Sequence, residues 1–480
     1  MLGAQLMVIL DATVVNIALP HIQTGLHFSA TSLSWVMNGY TLTFGGLLLL
    51  GGRAGDILGR RRMFMAGIVI FTLASFAGGL APNAAVLLTA RAVQGVGGAL
   101  ASPAVLALVV SGFPEGKERI RALAIYSAVV TGGSSLGLVL GGMITQWANW
   151  RWVLFINVPI GIAVTILAPM FVAETPRQPG RFDLPGAVTS TVGVAALVSA
   201  FIRAASTGWG DSVAIGAFAV AAVLLVAFVV NETRAPQPIM PLRLFADRGR
   251  SGSFVTRLLL VAGMFGMFFF LTQFLQDVLG FGALTTGIAF LPMTVLLFGV
   301  SRLMPRLLPR IGGYRLMLIG MVPVVIGMAW LSRVSPSTDY WSGVFGPMVL
   351  IGGGMGAVFV PLTTASLAGV RPQESGAASS MVNVMQQLGG SVGLAVLVAV
   401  FGTATRNSAA HPVAGLSAAA FHTHVLAHGM ATAFTLAAVF DAAALVLIAL
   451  LLRPRKPSVA IPDTAAELDG EPGRVTAVED

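Results

Sequence analysis

Residues 341–370 read WSGVFGPMVLIGGGMGAVFVPLTTASLAGV, and residues 375–405 read SGAASSMVNVMQQLGGSVGLAVLVAVFGTAT. Neither run holds a single Asp, Glu, Lys or Arg. Each is far longer than the roughly 18 apolar residues needed to cross hydrocarbon. A soluble core has no room for two such segments. The composition agrees: the 480 residues are 56% hydrophobic and 10% charged, where soluble domains carry about 25% charged residues. The solvent for this chain is a lipid bilayer.

Apolar windows outward from these two runs predict fourteen spanning helices. They lie at residues 2–22, 36–52, 63–80, 84–113, 122–146, 152–173 and 184–202, then at 213–230, 251–276, 284–301, 316–331, 341–370, 376–402 and 425–452. The chain is apolar from Leu2 and carries Asp11 mid-segment, which fits a first spanning helix better than a cleaved leader. An even number of spans puts both termini on one side of the membrane, and loop arginines choose that side. With the second-to-third loop cytoplasmic, 22 of the 28 basic residues fall on the cytoplasmic side. Only Arg151, Arg203, Arg333 and Arg406 fall outside, and Arg91 and Arg257 lie within spans. The expectation is a multi-pass protein of the inner (cytoplasmic) membrane with both termini cytoplasmic.

An internal repeat organises the spans. Residues 52–67 (GRAGDILGRRRMFMAG) align without gaps to residues 305–320 (PRLLPRIGGYRLMLIG), matching Arg53 to Arg306, Gly59 to Gly312, Arg62 to Arg315 and Gly67 to Gly320. The first copy joins spans two and three; the second joins ten and eleven. Duplicated halves are a transporter signature. Six helices per half then leave two inserted helices between them. The predicted units are an N-terminal six-helix bundle (1–173), two linker helices with cytoplasmic loops (174–250), a C-terminal six-helix bundle (251–452) and a disordered cytoplasmic tail (453–480). That tail opens with Arg453, Arg455 and Lys456, which suit an anionic lipid surface.

Charges inside spans carry the chemistry. A carboxylate at the bilayer centre costs about 2.5–3.5 kcal/mol on insertion scales, so Asp11 must pair, face a cavity or hold a proton. Loss of water favours the neutral acid and a nearby cation favours the carboxylate. A carboxyl that alternates between those surroundings takes up and releases protons. Arg91 is its candidate partner, with Gln94 three residues on along the same helical face. Asp441, in the last span, is a second mid-span acid suited to a substrate cation or a second proton. Arg257 lies about two turns inside the ninth span, where snorkelling to the interface is the expectation.

Asn157, Gln273, Gln276, Asn383, Gln386 and Gln387 need partners in hydrocarbon, so they are expected to face the bundle interior. All but Gln387 are candidate cavity residues with Gln94 and Asp441. The aromatic run Phe265, Phe268, Phe269 and Phe270 would suit either amphiphilic cargo or lipid. Gly133, Gly137 and Gly141, with Gly132 and Gly142 beside them, form a small-residue seam that permits close helix approach. Gly352, Gly353, Gly354 and Gly356, before Pro361, suggest a second deformable span. Gly52, Asp56, Gly59, Arg60 and Arg61 form a candidate gating loop, in which an acid can clamp helix ends in one state and release them in another.

Other function classes fit poorly. The net charge of +9 sits in short loops rather than on a nucleic-acid-binding face. No GxxxxGK[ST] loop is present, against ATP hydrolysis. Cysteine is absent. His411, His422, His424 and His428 cluster around the last external loop, where a solvated loop is the simpler reading than a metal site. No metal, cofactor or nucleic acid is expected, nor an enzyme activity.

These residues resemble the fourteen-span drug:proton antiporter branch of the major facilitator superfamily. Residues 10–20 (LDATVVNIALP) are similar to that branch's first-helix signature, and Gly52, Asp56, Gly59 and Arg60 to the superfamily loop motif. Arg91, Gln94 and Gly95 resemble the fourth-helix motif linked to proton coupling. Residues 150–161 (WRWVLFINVPIG) and 375–393 are similar to further branch segments. One departure stands out: Leu138 follows Gly137 where the branch's fifth helix has proline, which removes an expected kink and bears on the direction of antiport. The branch usually has a short polar leader, so the natural chain is expected to begin before Met1.

The resemblance implies an all-α, major-facilitator-like fold that exchanges protons for small amphiphilic drugs by alternating access, as a monomer, with the two inserted helices peripheral. Two alternatives stay open. One is a proton-coupled transporter of a single metabolite, such as an amino acid, a siderophore or a self-made antibiotic. The other is a non-transporting sensor on the same fold.

Overall fold

Hydrocarbon offers no partner to backbone N–H and C=O groups, so an apolar run that crosses it closes its hydrogen bonds within itself, as a helix. The computed structural model describes residues 2–112, 117–172, 174, 177, 182–370, 375–412 and 415–453, and among them no strand occurs. The expected tail beyond Arg453 lies outside the described residues.

The first half comprises α1 (Leu2–Leu26), α2 (Trp35–Leu58), α3 (Arg60–Gly79), α4 (Ala84–Gly112) and α5 (Lys117–Trp147), followed by a span broken at Ile156 into α6 (Trp152–Phe155) and α7 (Asn157–Phe171). Then come α8 (Leu184–Thr207) and α9 (Ser212–Arg234). In the second half, α10 (Arg248–Gln273) runs on through a π turn, Phe274–Val278. A span broken at Phe290 into α11 (Ala283–Ala289) and α12 (Leu291–Ile311) precedes α13 (Gly313–Leu331), α14 (Gly346–Leu367), α15 (Ser375–Ala409) and α16 (Ala418–Leu451). Among the described residues 13 helical segments are long and apolar enough to cross a membrane, and α5, with 31 residues, makes fourteen.

Most helices overrun the apolar windows that reveal them. α2 continues past Gly52 to take in Asp56, so the candidate gating loop shrinks to a single residue, Gly59. α16 starts at Ala418 and takes up His422, His424 and His428, which lie on a helix rather than in a loop. The physical reason is simple: hydropathy stops where hydrocarbon stops, while backbone hydrogen bonding continues into the polar interface.

The repeat is structural as well as sequential. Gly59 alone separates α2 from α3, and Gly312 alone separates α12 from α13. Both have the left-handed φ, 109° and 85°, that side chains disfavour. The correspondence extends to packing. A Cβ on Gly67 would meet the Gly97 carbonyl of α4 at 2.6 Å, and one on Gly320 would meet the Gly354 carbonyl of α14 at 2.8 Å. Within the first half α2 and α3 pack on α4, α1 on α5, and α3 on α7. The second half repeats this: α12 and α13 pack on α14, α10 on α15, and α13 on α16. The halves meet along α2 against α15 and α5 against α11. Exchanging the halves exchanges those two seams, which is the contact pattern of a pseudo-twofold.

The inserted pair is not uniformly peripheral, contrary to expectation. Val194, Val198 and Ile202 of α8 bury with Leu42 of α2 and Ala395 of α15, and Arg406 of α15 donates to the α8 carbonyls of Ala204 and Ala205. Thus α8 is wedged over one seam, and α9 packs outside it.

On the other seam the glycine row of α5 works on two faces. Gly133, Gly137 and Gly141 lie against Leu6, Thr13 and Val14 of α1. Gly142 faces the Ala283 carbonyl of α11 at 2.6 Å, measured from an added Cβ, and the Leu138 carbonyl lies against Gly287. Gly132 faces open space. Leu138, standing where a proline was expected, is fully buried in this contact. The Gly287→Val variant cannot keep it, so the two halves must part at that end. With Ile17→Cys as the single cysteine of the chain, a membrane-impermeant maleimide should label the variant several-fold faster than the parent. Equal labelling would show that the contact does not hold the end shut.

Candidate functional site

The interior of the first half is built on Asp11, in the middle of α1 and without exposed surface. Arg91 of α4 donates from Nη1 to Asp11 Oδ2 at 2.5 Å. Gln94, one turn on, donates from Nε2 to Oδ1 at 2.7 Å, and Asn157, the first residue of α7, donates from Nδ2 to the same oxygen at 3.0 Å. The guanidinium is fixed in turn. Its Nε donates to the Val36 carbonyl of α2 at 3.0 Å, Nη1 also reaches Gln94 Oε1 at 2.8 Å, and its carbon lies 4.6 Å from the centre of the Tyr40 ring. Gln94 Nε2 also donates to Ser75 Oγ of α3 at 2.7 Å. One ion pair thereby joins α1, α2, α3, α4 and α7.

Buried charges are tolerable only when paired and hydrogen-bonded, and this pair has both. Asp11, Arg91 and Gln94 stand together as their spacing predicts. Asn157, expected only as an interior polar group, is a direct donor to the carboxylate. Ser75 and Tyr40 escaped sequence reasoning, since a Ser or Tyr within an apolar helix is ordinary.

The other expected cavity residues disperse. Gln276 donates from Nε2 to the Ile17 carbonyl at 2.9 Å and so ties α10 to α1. Asn16, which no sequence signal singled out, reinforces that tie through Thr272 Oγ1 at 2.8 Å and the Phe268 carbonyl at 3.2 Å. Close by, Gln146 Oε1 of α5 accepts from the Leu284 backbone of α11 at 2.9 Å. All these ties sit toward the end of the molecule that carries the α1–α2 connection. Gln273 is buried and donates back to the Phe269 carbonyl of its own helix at 3.0 Å, so it lines no cavity here. Gln387 packs against Gly45 across the α2–α15 seam. Asn383 is exposed, and Gln386, one turn on, accepts from Arg257 at 3.3 Å.

Two charged residues depart from expectation. Asp441 is enclosed against Gly263 of α10, and neither carboxylate oxygen has a hydrogen-bond partner among the described residues. Arg257 does not snorkel: it is 4% exposed and bonded to neighbouring helices. The aromatic run is interior too. Phe270 packs on Phe401 and Phe434, and Phe268 stacks on Phe290.

At the opposite end Arg60 holds Asp56 at 2.9 Å, one turn apart across Gly59. The residue that organises this region is Glu174, which the sequence reading missed. Its Oε1 accepts from the Arg61 backbone N–H at 3.0 Å, so an anion caps the start of α3. Arg61 Nη1 donates to the Val172 carbonyl at 3.2 Å. Gly52 faces Pro103 of α4. Of the histidines, His411 Nδ1 lies 2.9 Å from the Asn407 carbonyl.

Removing one member of a buried pair costs more than removing both, because a lone charge remains. Arg91→Ala should lower the stability of the purified protein by about 3–5 kcal/mol. Pairing Arg91→Gln with Asp11→Asn should recover most of that, read as melting temperature in detergent. Equal losses in both would mean that the charges do not depend on each other.

The chain matches the family model described as Major Facilitator Superfamily over residues 1–394. It is 43% identical over 410 residues to a puromycin resistance protein of Streptomyces alboniger, covering 84% of this chain and 81% of that one. It is 40% identical to a cephamycin export protein of Amycolatopsis lactamdurans, covering 85% of each. Identity is 35% to a multidrug resistance protein of Mycobacterium tuberculosis (strain CDC 1551 / Oshkosh), over 82% and 73% of the two chains. Among solved structures, a bacterial homologue of the human lysosomal transporter Spinster, inward-facing and occupied, superposes with a TM-score of 0.67 at 16% identity, covering 94% of this chain and 95% of that one. Fourteen apolar helices, two matching halves and these relatives agree: the chain belongs to the major facilitator superfamily, in its drug-efflux branch.

Proposed function

We propose that this protein exports small amphiphilic compounds, antibiotics among them, in exchange for protons across the inner (cytoplasmic) membrane, with both termini cytoplasmic. The observation that carries the reading is the Asp11–Arg91 pair, a carboxylate held at mid-membrane by a cation and two amides. Loop arginines favour an external α1–α2 connection. The ties from Asn16, Gln146 and Gln276 then close the external end, and this conformation faces the cytoplasm. As the external end opens, a proton reaches Asp11, neutralises it and releases Arg91. Return to the present state delivers that proton inward and restores the pair. One charge moved inward is worth about 2.3 kcal/mol per 100 mV, enough to drive a useful efflux ratio. The working unit in this reading is the monomer, and the seam glycines and the Asp56–Arg60 turn act as hinge and gate.

The named cargoes of the relatives favour antibiotics over nutrients. Puromycin, cephamycin, tetracenomycin C and lincomycin are each carried in the name of one relative. A resistance panel separates broad export, which protects against many classes, from export of one compound.

Asp11→Asn keeps the size and one acceptor oxygen for Gln94 and Asn157, gives up the bond from Arg91 because an amide NH2 cannot accept it, and removes the titration. Proton-driven dye efflux from energised inverted vesicles should fall at least tenfold, while dye binding to the purified variant persists. Undiminished proton-dependent efflux would remove Asp11 from the coupling role.

A further inference from the structure

Arg257 is a buried cation without a counter-ion among the described residues. It lies on α10 at 4% exposure and makes no ion pair among the described residues. Its Nη2 donates to Thr363 Oγ1 of α14 at 2.5 Å and its Nη1 to Gln386 Oε1 of α15 at 3.3 Å. The guanidinium carbon lies 5.5 Å from the centre of the Phe359 ring. Nε, one of five N–H donors, has no partner among the described residues. The mid-span acid of this bundle, Asp441, faces Gly263. Gly263 lies six positions after Arg257, which turns it to another side of α10. The contrast with Arg91, held by a carboxylate, is complete.

The surroundings remain reachable. Thr363, Gln386, Phe359 and Leu258 are half-buried, and Asn383, one turn from Gln386, is exposed. An unpaired cation at such a depth marks a binding function more often than a structural one. A guanidinium can hold a planar oxyanion with two parallel hydrogen bonds; the donor left unused on Arg257, Nε, is enclosed in this conformation, so an oxyanion would take it together with a terminal nitrogen now bonded to Thr363 or Gln386, beside the Phe359 ring.

We propose that Arg257, with Thr363 and Gln386, is an oxyanion subsite that takes the carboxylate of an amphiphilic acid. This rests on the export reading and specifies a substrate class within it. The sister pair Asp11–Arg91 keeps its charge internally neutralised for coupling, whereas Arg257 keeps its charge for cargo.

The test is a fluorescence titration of the purified full chain with 11-(dansylamino)undecanoic acid and with its methyl ester. Charge-assisted hydrogen bonds predict that the parent prefers the acid by about tenfold or more. In Arg257→Gln that ratio should fall to about one, and Arg257→Lys, which keeps the charge but not the fork, should fall between. Melting temperature checks the fold of each variant. If Arg257→Gln does not fold, the parent's own ratio and that of Gln386→Leu still decide. Equal affinities for acid and ester in the parent, or an unchanged ratio in folded Arg257→Gln, would overturn the subsite. Repeating the titration in phosphatidylcholine nanodiscs with and without phosphatidylglycerol separates cargo from lipid. Competition by phosphatidylglycerol in the parent but not in Arg257→Gln would give the subsite to a lipid headgroup and overturn the cargo assignment. A parent that expels an uncharged dye under a proton gradient yet binds acid and ester equally would defeat this subsite alone. One that prefers the acid but shows no proton-driven export would defeat the export reading alone.

Discussion

The fold of the first half is organised by a carboxylate that has nowhere to go. Asp11 lies fully buried in α1, and hydrocarbon would expel it were it not met by Arg91, Gln94 and Asn157. Because those donors come from α4 and α7, and are braced by α2 and α3, a change of charge at one atom is felt by five helices together. Asn16 and Ile17, five and six residues further along α1, hold α10 of the other half. The helix that carries the titratable group is therefore the same one that fastens the two halves. On the proposed reading, coupling requires no long relay, only the rigidity of two turns of helix.

Apolar attraction between helices vanishes when the solvent is itself apolar, leaving close packing and hydrogen bonds to do the work. The glycines show where. On α5 they admit α1 on one face and α11 on the other, so the seam that must open during transport is made of backbone against backbone. Such a contact has few rotamers to rearrange. It can separate and re-form without repacking a jigsaw of large side chains.

Much of this was legible in the sequence, and the remainder was illegible for identifiable reasons. Uncharged runs and the repeat around Gly59 and Gly312 disclose the spans and the duplication because the bilayer imposes composition directly. The depth of Asp11 and Arg91 along their helices discloses the pair, since each is intolerable alone. Depth does not reveal azimuth, however. Arg257 looked like an interfacial residue because it lies near a helix end, yet its face points inward to Thr363 and Gln386. Asp441 looked like a cavity residue and is enclosed. Glu174 and Ser75 left no trace, since a loop acid and a helix serine are commonplace until a partner's position is known.

The wedge formed by α8 has a consequence for how cargo arrives. Amphiphiles partition into the leaflets, and a transporter with two open seams could recruit them sideways from either flank. Here one flank is plugged by Val194, Val198 and Ile202 seated on Leu42 and Ala395, and stapled at one end by Arg406. The opposite flank, along α5 and α11, has no inserted helix seated on it among the described residues; there backbone meets backbone, Gly142 on Ala283 and Gly287 on Leu138. The extra helices thus make the protein one-sided in the plane of the membrane, a handedness that its duplicated core lacks.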